Sequence, residues 1–226
     1  MNKHKSKEQI VVFDFDKTIT SVDTFSHLIA FLINSSFRRQ CFALFFLPII
    51  YTFKSFESTR VYAASLGLWV GSIGKQRRYL INRIKEYSVL YRLFGKRDAM
   101  RLFALNSIKK HINIGHRVII VSASSRLWIK HFLGSEISSS VTIIGSEIEY
   151  RWYGLVLKSW CYGKDKLKHL EKYNIPHDNL RTMYSDSITD IDLMACAKNR
   201  CFVNISSGLK KFLKSNGDYY FISWPC

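Results

Sequence analysis

Residues Val11 to Thr18 constrain the fold of this chain more than any other segment. They begin as a short apolar, β-branched run, which is typical of a buried strand, and end on two carboxylates and a hydroxyl. Because residues two apart project to the same side of a strand, Asp14 and Asp16 are predicted to face one point in space. Such paired carboxylates usually hold a hard cation or act as nucleophile and acid. The alternative is an ordinary surface turn.

Two later strand-like runs also end on polar side chains. Val118–Val121 leads to Ser122, and Arg181–Tyr184 leads to Asp186, with Asp190 four residues further on. In an open α/β sheet, ligands bind at the carboxyl ends of the strands. The recurrence therefore favours an α/β fold with a catalytic site at that edge, and weighs against the turn interpretation.

The charge of the chain points to anionic partners. Its 226 residues, enough for a core domain with an insertion, carry a formal net charge of +17. Nucleic acid, anionic lipid and phosphorylated substrates all fit that surplus. The five cysteines show no zinc-like or CxxC spacing, and the basic segment Met1–Glu8 lacks the apolar core of a signal peptide. We therefore expect reduced thiols and a cytoplasmic setting, or the cytoplasmic face of the inner membrane.

A basic, apolar insertion follows the first strand. Residues 24–97 contain twelve Lys or Arg but only two acids, Glu57 and Glu86. Three stretches in it lack charged side chains, namely Thr24–Phe37, Gln40–Phe53 and Val61–Gly74. Each is shorter than the roughly 20 residues of a membrane-spanning helix. Two interpretations stay open here: a helical cap with its own small core, or segments that lie in a membrane interface.

The remaining chain returns to an α/β pattern. We predict the domains as residues 1–20 and 98–226 for the core and 21–97 for the cap. The predicted core elements are helices at Asp98–His111, Arg126–Leu133, Asp165–Tyr173 and Ile188–Ala197, strands at Val141–Ile144 and Cys201–Ile205, and a hairpin over Glu147–Lys158 that turns near Tyr153-Gly154.

Taken together, the motifs resemble the haloacid dehalogenase superfamily of phosphatases. They are, in chain order, Asp14-Phe15-Asp16-Lys17-Thr18, Ser122, a later Lys and Asp186-x-x-x-Asp190. The resemblance implies a doubly wound, Rossmann-like parallel sheet, with an all-helical cap inserted after the first motif as in the subgroup that includes phosphoserine phosphatase. A closer likeness is to bacterial phosphatidylglycerophosphatase C, through Leu47–Ile50, Gly67–Trp69, Cys161–Lys166 and Tyr184–Ser187.

The resemblance also implies the role of each site residue. Asp14 would be the nucleophile that forms an aspartyl-phosphate, and Asp16 the general acid and base. Mg²⁺ would be held by the Asp14 carboxylate, the backbone carbonyl of Asp16 and Asp186, with Asp190 as a further ligand or a nearby support. The groups implied to hold the phosphoryl oxygens or support the motif are Ser122, Thr18 and a lysine.

Three further points concern the lysine of these motifs, Lys17 and Asp23. The lysine is either Lys164 or Lys166, and the spacing from Gly163 favours Lys166. Lys17 occupies a position where many relatives have Gly. Asp23 is predicted to be a helix N-terminal residue rather than a substrate contact.

Three functions are then weighed. The first is a Mg²⁺-dependent phosphomonoesterase that converts phosphatidylglycerophosphate to phosphatidylglycerol at an anionic membrane surface. The alternative is a soluble small-molecule phosphatase of the phosphoserine phosphatase kind. A basic nucleic-acid-binding module ranks last, because it gives no reason for carboxylates at two strand ends. We therefore do not expect a nucleic-acid partner, and the sequence does not specify an oligomeric state.

Overall fold

A single sheet forms the centre of the molecule in the computed structural model, which describes residues 8–94, 100–215 and 217–225. Its strands are β1 (Ile10–Phe13), β2 (Arg117–Ser125), β3 (Thr142–Arg151), β4 (Gly154–Ser159), β5 (Leu180–Ser185), β6 (Asn199–Val203) and β7 (Tyr220–Ile222). The spatial order is β4-β3-β2-β1-β5-β6-β7. All neighbouring pairs are parallel except β3 and β4, which form an antiparallel hairpin.

The central strand β1 is fully buried because helices cover both faces of the sheet. Val11 and Phe13 belong to one hydrophobic cluster, and Ile10 and Val12 belong to a second cluster. This alternation is what a strand buried on both faces requires, and it explains the continuous apolar sequence. The predicted α/β fold with a doubly wound, mostly parallel sheet is confirmed.

Helices account for the rest of the regular structure. They are α1 (Thr24–Asn34), α2 (Phe37–Ser55), α3 (Arg60–Ser72), α4 (Arg77–Phe94), α5 (Leu102–Asn113), α6 (Arg126–Ser138), α7 (Asp165–Lys172), α8 (Ile191–Ala195) and α9 (Ser207–Lys214). We call α1 to α4 the cap helices, since they lie between β1 and α5 in the chain. The predicted domain boundary at residues 97 and 98, and the predicted helix start at Asp98, lie outside the described residues.

Several predicted core elements have different bounds in the structure. β2 continues three residues past Ser122, so this serine lies within the strand rather than after it. β3 extends to Arg151 because it pairs first with β2 and then with β4. Helix α6 extends past Gly134, which has a left-handed φ of 76° that kinks it. Strand β7 was not predicted, since three residues are too short to show an alternating pattern.

The β3–β4 hairpin joins the core to the cap helices. The backbone amide of Leu155 donates to Ser72 Oγ at 2.6 Å, and that of Leu157 donates to Ser65 Oγ at 3.1 Å. These bonds satisfy amides on the free edge of β4, a row of donors that would otherwise face solvent. Trp69 Nε1 also donates to the carbonyl of Trp152 at 2.9 Å. Helix α3 is thereby fixed against the sheet.

The length and composition of the helices bear on whether any of them could cross a membrane. Within the described residues, none of the helices combines the length and the apolar character that crossing a bilayer demands.

Candidate active site

A cavity of about 530 Å³ lies between the carboxyl ends of the central strands and the cap helices. Its core side is lined by the polar residues that the sequence singled out: Asp14, Asp16, Ser122, Lys166, Asp186 and Asp190. Six side chains from distant parts of the chain therefore meet at one place. Parallel strands bring them together because their carboxyl ends share one edge of the sheet.

Asp14 forms a buried ion pair with Lys166. Lys166 Nζ lies 2.7 Å from Asp14 Oδ1 and 2.7 Å from Asp190 Oδ2. Burial raises the pKa of the Asp14 carboxyl well above its usual value; Lys166 opposes that rise, and the charges of Asp190 and Asp186 add to it. The two carboxylates raise the pKa of Lys166 despite its burial, so the ammonium stays charged. One buried lysine thus faces two buried carboxylates.

Asp16 turns away from this pair and is held by hydroxyl and amide donors. Its Oδ1 accepts from the backbone amide of Thr24 at 2.7 Å, and its Oδ2 accepts from Ser124 Oγ at 2.6 Å and from Ser122 Oγ at 3.3 Å. Burial raises the pKa of the Asp16 carboxyl, while the bonds from Ser124 and Thr24 lower it. The two aspartates are therefore in different electrostatic settings, which suits two different roles.

Thr18 links the first motif to the last. The backbone amide of Asp186 donates to Thr18 Oγ1 at 2.9 Å, and the hydroxyl lies 3.4 Å from both Asp14 Oδ2 and Asp186 Oδ1. Burial, together with the nearby charge of Asp190, raises the pKa of Asp186 to about 6. Thr18 therefore spaces two carboxylates rather than facing the open cavity.

The acidic residues of the cavity fit a Mg²⁺ site. Asp190 Oδ1 is buried and makes no hydrogen bond to any described residue. The three carboxylates of Asp14, Asp186 and Asp190 outnumber the two lysines near them, Lys166 and Lys17. Mg²⁺ prefers oxygen ligands, and carboxylates that nearby lysines do not fully neutralise attract a cation. Among the described residues, no three acidic, His or Cys side chains form a complete metal cluster. The predicted set needs only the carboxylates of Asp14 and Asp186 and the carbonyl of Asp16.

The family assignment follows from the match of these motifs in sequence. The haloacid dehalogenase-like hydrolase family matches residues 11–195. The chain belongs to this family.

Solved structures with a similar fold align with nearly the whole length of this hydrolase. A protein of unknown function from Bordetella pertussis Tohama I aligns at a TM-score of 0.75 and 17% identity, over 96% of this chain and 99% of its own. A phosphoserine phosphatase, as a phospho-aspartyl intermediate analogue, aligns at 0.57 and 15%, over 96% and 94%. Cytosolic 5′-nucleotidase IIIB bound to cytidine aligns at 0.61 and 13%, over 96% and 81%. At these identities the likeness shows the fold. The curated proteins give no significant sequence match.

The structure separates the two candidate lysines of the hydrolase. Lys166 is buried and lines the cavity, whereas Lys164 is exposed and does not line it. Gly163 has a left-handed φ of 51° just before them, a turn that leads into α7 and directs its first residues. Lys166 is thus the lysine that geometry brings to the site.

Lys17 has a backbone conformation that glycine adopts more readily than other residues. Its φ is 58°, in the left-handed region that favours glycine. Asp23 caps α1, with Oδ1 accepting from the amide of Ser26 at 3.0 Å, as predicted. It also lines the cavity, which the sequence did not indicate.

Sequence reasoning missed Thr24 and Ser124. Both are buried hydroxyl residues that bond Asp16, and their own hydroxyls lie 3.1 Å apart. Thr24 begins α1, so the first cap helix directly orients a carboxylate of the core. The signal in the sequence is the run Ser122-Ala123-Ser124, whose two serines both reach Asp16.

The cap side of the cavity is mainly apolar. Phe25, Ile29 and Ile33 come from α1, Leu47 and Ile50 from α2, and Ala63, Ala64 and Gly67 from α3. Two cations, Lys54 and Arg60, and the polar residues Asp23 and Ser26 also line this side. Arg60 Nη1 donates to the hydroxyl of Tyr162 at 3.0 Å, which connects the cap to the core across the cavity. The site therefore has an acidic, metal-suited floor and an apolar, basic roof.

Proposed function

We propose that this hydrolase is a Mg²⁺-dependent phosphomonoesterase that acts through an aspartyl-phosphate on Asp14. The observation that carries the proposal is the group of Asp14, Asp186 and Asp190 at the carboxyl ends of β1 and β5, with Lys166 of α7 paired to Asp14 and Asp190. A phosphoryl group spreads negative charge over its outer oxygens, so a carboxylate approaches it only where cations neutralise that charge. Lys166 supplies one such cation.

The chemistry runs in two steps on this chain's own residues. An oxygen of Asp14 attacks phosphorus while the ester oxygen leaves and takes a proton from Asp16. Asp16, now ionised, accepts a proton from the water that attacks the aspartyl-phosphate, which releases phosphate and restores Asp14. Ser124 and Thr24 hold the Asp16 carboxyl in place through both steps.

The remaining site residues bind charge. Ser122 and Lys166 would hold phosphoryl oxygens. Thr18 would hold the carboxylates of Asp14 and Asp186 in fixed positions relative to each other. Mg²⁺ would be held by Asp14, the carbonyl of Asp16 and Asp186, with Asp190 beside it, and would supply further neutralisation of the phosphoryl oxygens. In the structure Asp190 already accepts bonds from Lys166 and from Ser185 Oγ at 2.7 Å, so its main effect would be to fix the lysine.

A small, soluble phosphomonoester is the first candidate substrate. Its support is the shared fold with a phosphoserine phosphatase and a nucleotidase, and a cavity size within the range of small-molecule pockets. Asp23 adds a carboxylate at the cavity that could receive the amino group of an amino-acid phosphate. Glu57 and Glu86, the two acids of residues 24–97, do not line the cavity.

A lipid phosphomonoester such as phosphatidylglycerophosphate is the second candidate. The specific observation in its favour is the apolar roof, where Phe25, Ile29, Leu47 and Ile50 leave room for an acyl or glycerol part rather than for a polar headgroup alone. The likeness to phosphatidylglycerophosphatase C is part of the same hypothesis.

The test is phosphate release from a substrate panel with Mg²⁺. The panel contains phosphoserine, nucleoside monophosphates and phosphatidylglycerophosphate in mixed micelles, with Asp14→Asn assayed in parallel. Turnover of any member that disappears in Asp14→Asn and with chelator supports the chemistry. Turnover that survives in Asp14→Asn contradicts it.

Two cavity variants separate the substrate classes. Asp23→Asn should lower kcat/KM for an amino-acid phosphate and leave a lipid substrate unaffected. Ile50→Gln places an amide in the apolar roof and should have the opposite selectivity. If both variants reduce all substrates equally, the roof does not select between the classes.

A further inference from the structure

Helix α2 is apolar on the side that faces solvent. Phe37, Leu44, Phe45 and Tyr51 point outward, and Phe45 is 80% exposed while Phe37 is 77% exposed. An outer helix of a water-soluble protein normally presents polar side chains there. A contiguous apolar surface of this kind marks a place where something else binds.

The helix is held in this orientation by its inner side. Arg39 is buried, and its Nη1 donates to the carbonyls of Leu32 and Gly71, each at 3.0 Å. Ala43 is also buried, and Leu47 and Ile50 line the catalytic cavity. Rotation to hide the outer residues would break the Arg39 bonds. The exposure is therefore built into the cap.

The charges around this face identify what binds there. Residues 37–55 contain no acid, while Arg38 and Lys54 are both exposed on the same helix. A second copy of the chain would bring the same positive charges to the contact. An anionic surface complements both the apolar side chains and the charges, and each cation near an anionic bilayer contributes about 1 kcal/mol.

Aromatic side chains extend the apolar face toward the β3–β4 hairpin. Phe53, Tyr62, Trp69 and Trp152 line a second, shallow cavity of about 270 Å³ beside α2. Trp152 at the hairpin turn is 66% exposed and Tyr62 is 60% exposed. Trp and Tyr are enriched at the boundary between lipid and water.

We propose that α2, with Trp152 and Tyr62 at its side, lies on the surface of an anionic lipid bilayer. The helix would rest in the interface without crossing it, with its outer apolar side chains toward the lipid. Because Leu47 and Ile50 of the same helix line the cavity, the catalytic cavity would lie next to the lipid. The inference extends the lipid candidate above but does not depend on turnover, since binding is measured without it.

The experiment is flotation of the full chain with vesicles, either of phosphatidylcholine alone or of phosphatidylcholine and phosphatidylglycerol in equal parts. The variant Leu44→Gln/Phe45→Gln should bind the anionic vesicles about tenfold or more weakly than the unmodified chain. The matched control is Leu102→Gln/Phe103→Gln, which changes another exposed Leu-Phe pair, on the core helix α5, and should bind normally.

A second variant tests the charge without altering the apolar face. Arg38→Glu reverses an exposed charge and should weaken binding to the anionic vesicles but not to the phosphatidylcholine vesicles. The effect should be larger at low salt. Asp14→Asn should bind normally, which keeps a failure of catalysis separate from a failure of binding.

Three results would overturn the proposal. One is equal binding by the α2 double variant and the unmodified chain. Another is an equal loss in the α5 control, which would place the contact elsewhere. The third is no vesicle binding together with a concentration-dependent dimer that the α2 double variant abolishes, which would make a second copy the occupant.

Discussion

Lys166 Nζ lies 2.7 Å from Asp14 Oδ1, at the point where β1 and the start of α7 meet. The same ammonium lies 2.7 Å from Asp190 Oδ2, so one cation joins the proposed nucleophile to the last acidic motif. All three side chains are buried. The lysine therefore both stabilises the fold and supplies positive charge where a phosphoryl group would bind.

Removal of this lysine should cost stability as well as activity. Lys166→Met leaves two buried carboxylates without their cation, a change that typically costs about 3–5 kcal/mol. We expect the free energy of unfolding in urea to fall by an amount of that order, and phosphate release to be lost. Lys164→Met is the matched control on the exposed neighbour and should change neither quantity. A stable, active Lys166→Met would remove the lysine from the proposed mechanism.

Mg²⁺ should stabilise the protein through Asp186. A ligand that binds only the folded state at a hundred times its Kd adds about 2.7 kcal/mol, so the Tm should rise with Mg²⁺ concentration. Because the pKa of Asp186 is raised to about 6, protons should compete with the metal and weaken this effect below that pH. In Asp186→Asn the rise in Tm should disappear. An undiminished rise in that variant would place the metal elsewhere.

Most of the site follows from sequence because most of its residues lie at or near the carboxyl ends of strands. Asp14, Ser122 and Asp186 could be predicted to meet, since the carboxyl ends of β1, β2 and β5 share one edge and each run is apolar enough to be recognised. The short strand β7 and the kink at Gly134 could not be predicted in this way. They depend on pairing with β6 and on a single backbone angle, and neither leaves a repeating pattern.

The cap was harder to predict for a physical reason. Its apolar stretches are compatible with burial and with a membrane interface, and composition alone does not separate the two. In the structure Leu28 and Leu68 are buried while Leu44 and Phe45 are exposed. The sequence patterns around these residues are similar, and only the packing of α2 against α3 decides which side faces out.

A histidine pair behind β1 should make the fold sensitive to acid. His111 Nδ1 lies 2.9 Å from His116 Nδ1, and its Nε2 lies 3.2 Å from the hydroxyl of Tyr184. Burial, with the nearby charge of His116, lowers the pKa of His111 to about 4, below the value of about 6.5 in an unfolded chain. The unfolded state therefore binds the proton first as pH falls.

Because the unfolded state binds the proton first, acid should destabilise the folded state through His111. Stability from His111 is complete above about pH 6.5 and is lost progressively toward pH 4, where the loss ends. Because the ring is partly exposed, we expect a loss on the order of 1 kcal/mol between pH 7.5 and 5. His111→Gln should unfold in urea with a smaller difference between these two pH values. An unchanged difference between the two pH values in His111→Gln would mean that this ring does not contribute to the acid sensitivity.

The hydroxyl of Ser124 should set the pH range in which Asp16 works. Its Oγ donates to Asp16 Oδ2 at 2.6 Å, and this bond lowers the pKa of the carboxyl against the effect of burial. Ser124→Ala removes the donor, so the pKa of Asp16 should rise. The proposed general acid must be protonated to act, so the limb of the kcat–pH profile that falls with increasing pH should move to higher pH. Ser122→Ala, whose bond to Asp16 is longer at 3.3 Å, should shift that limb less and should raise KM instead, because it removes a proposed contact to phosphate. A profile that keeps its shape in Ser124→Ala while kcat falls uniformly would mean that Ser124 supports the fold of the site but does not tune the acid.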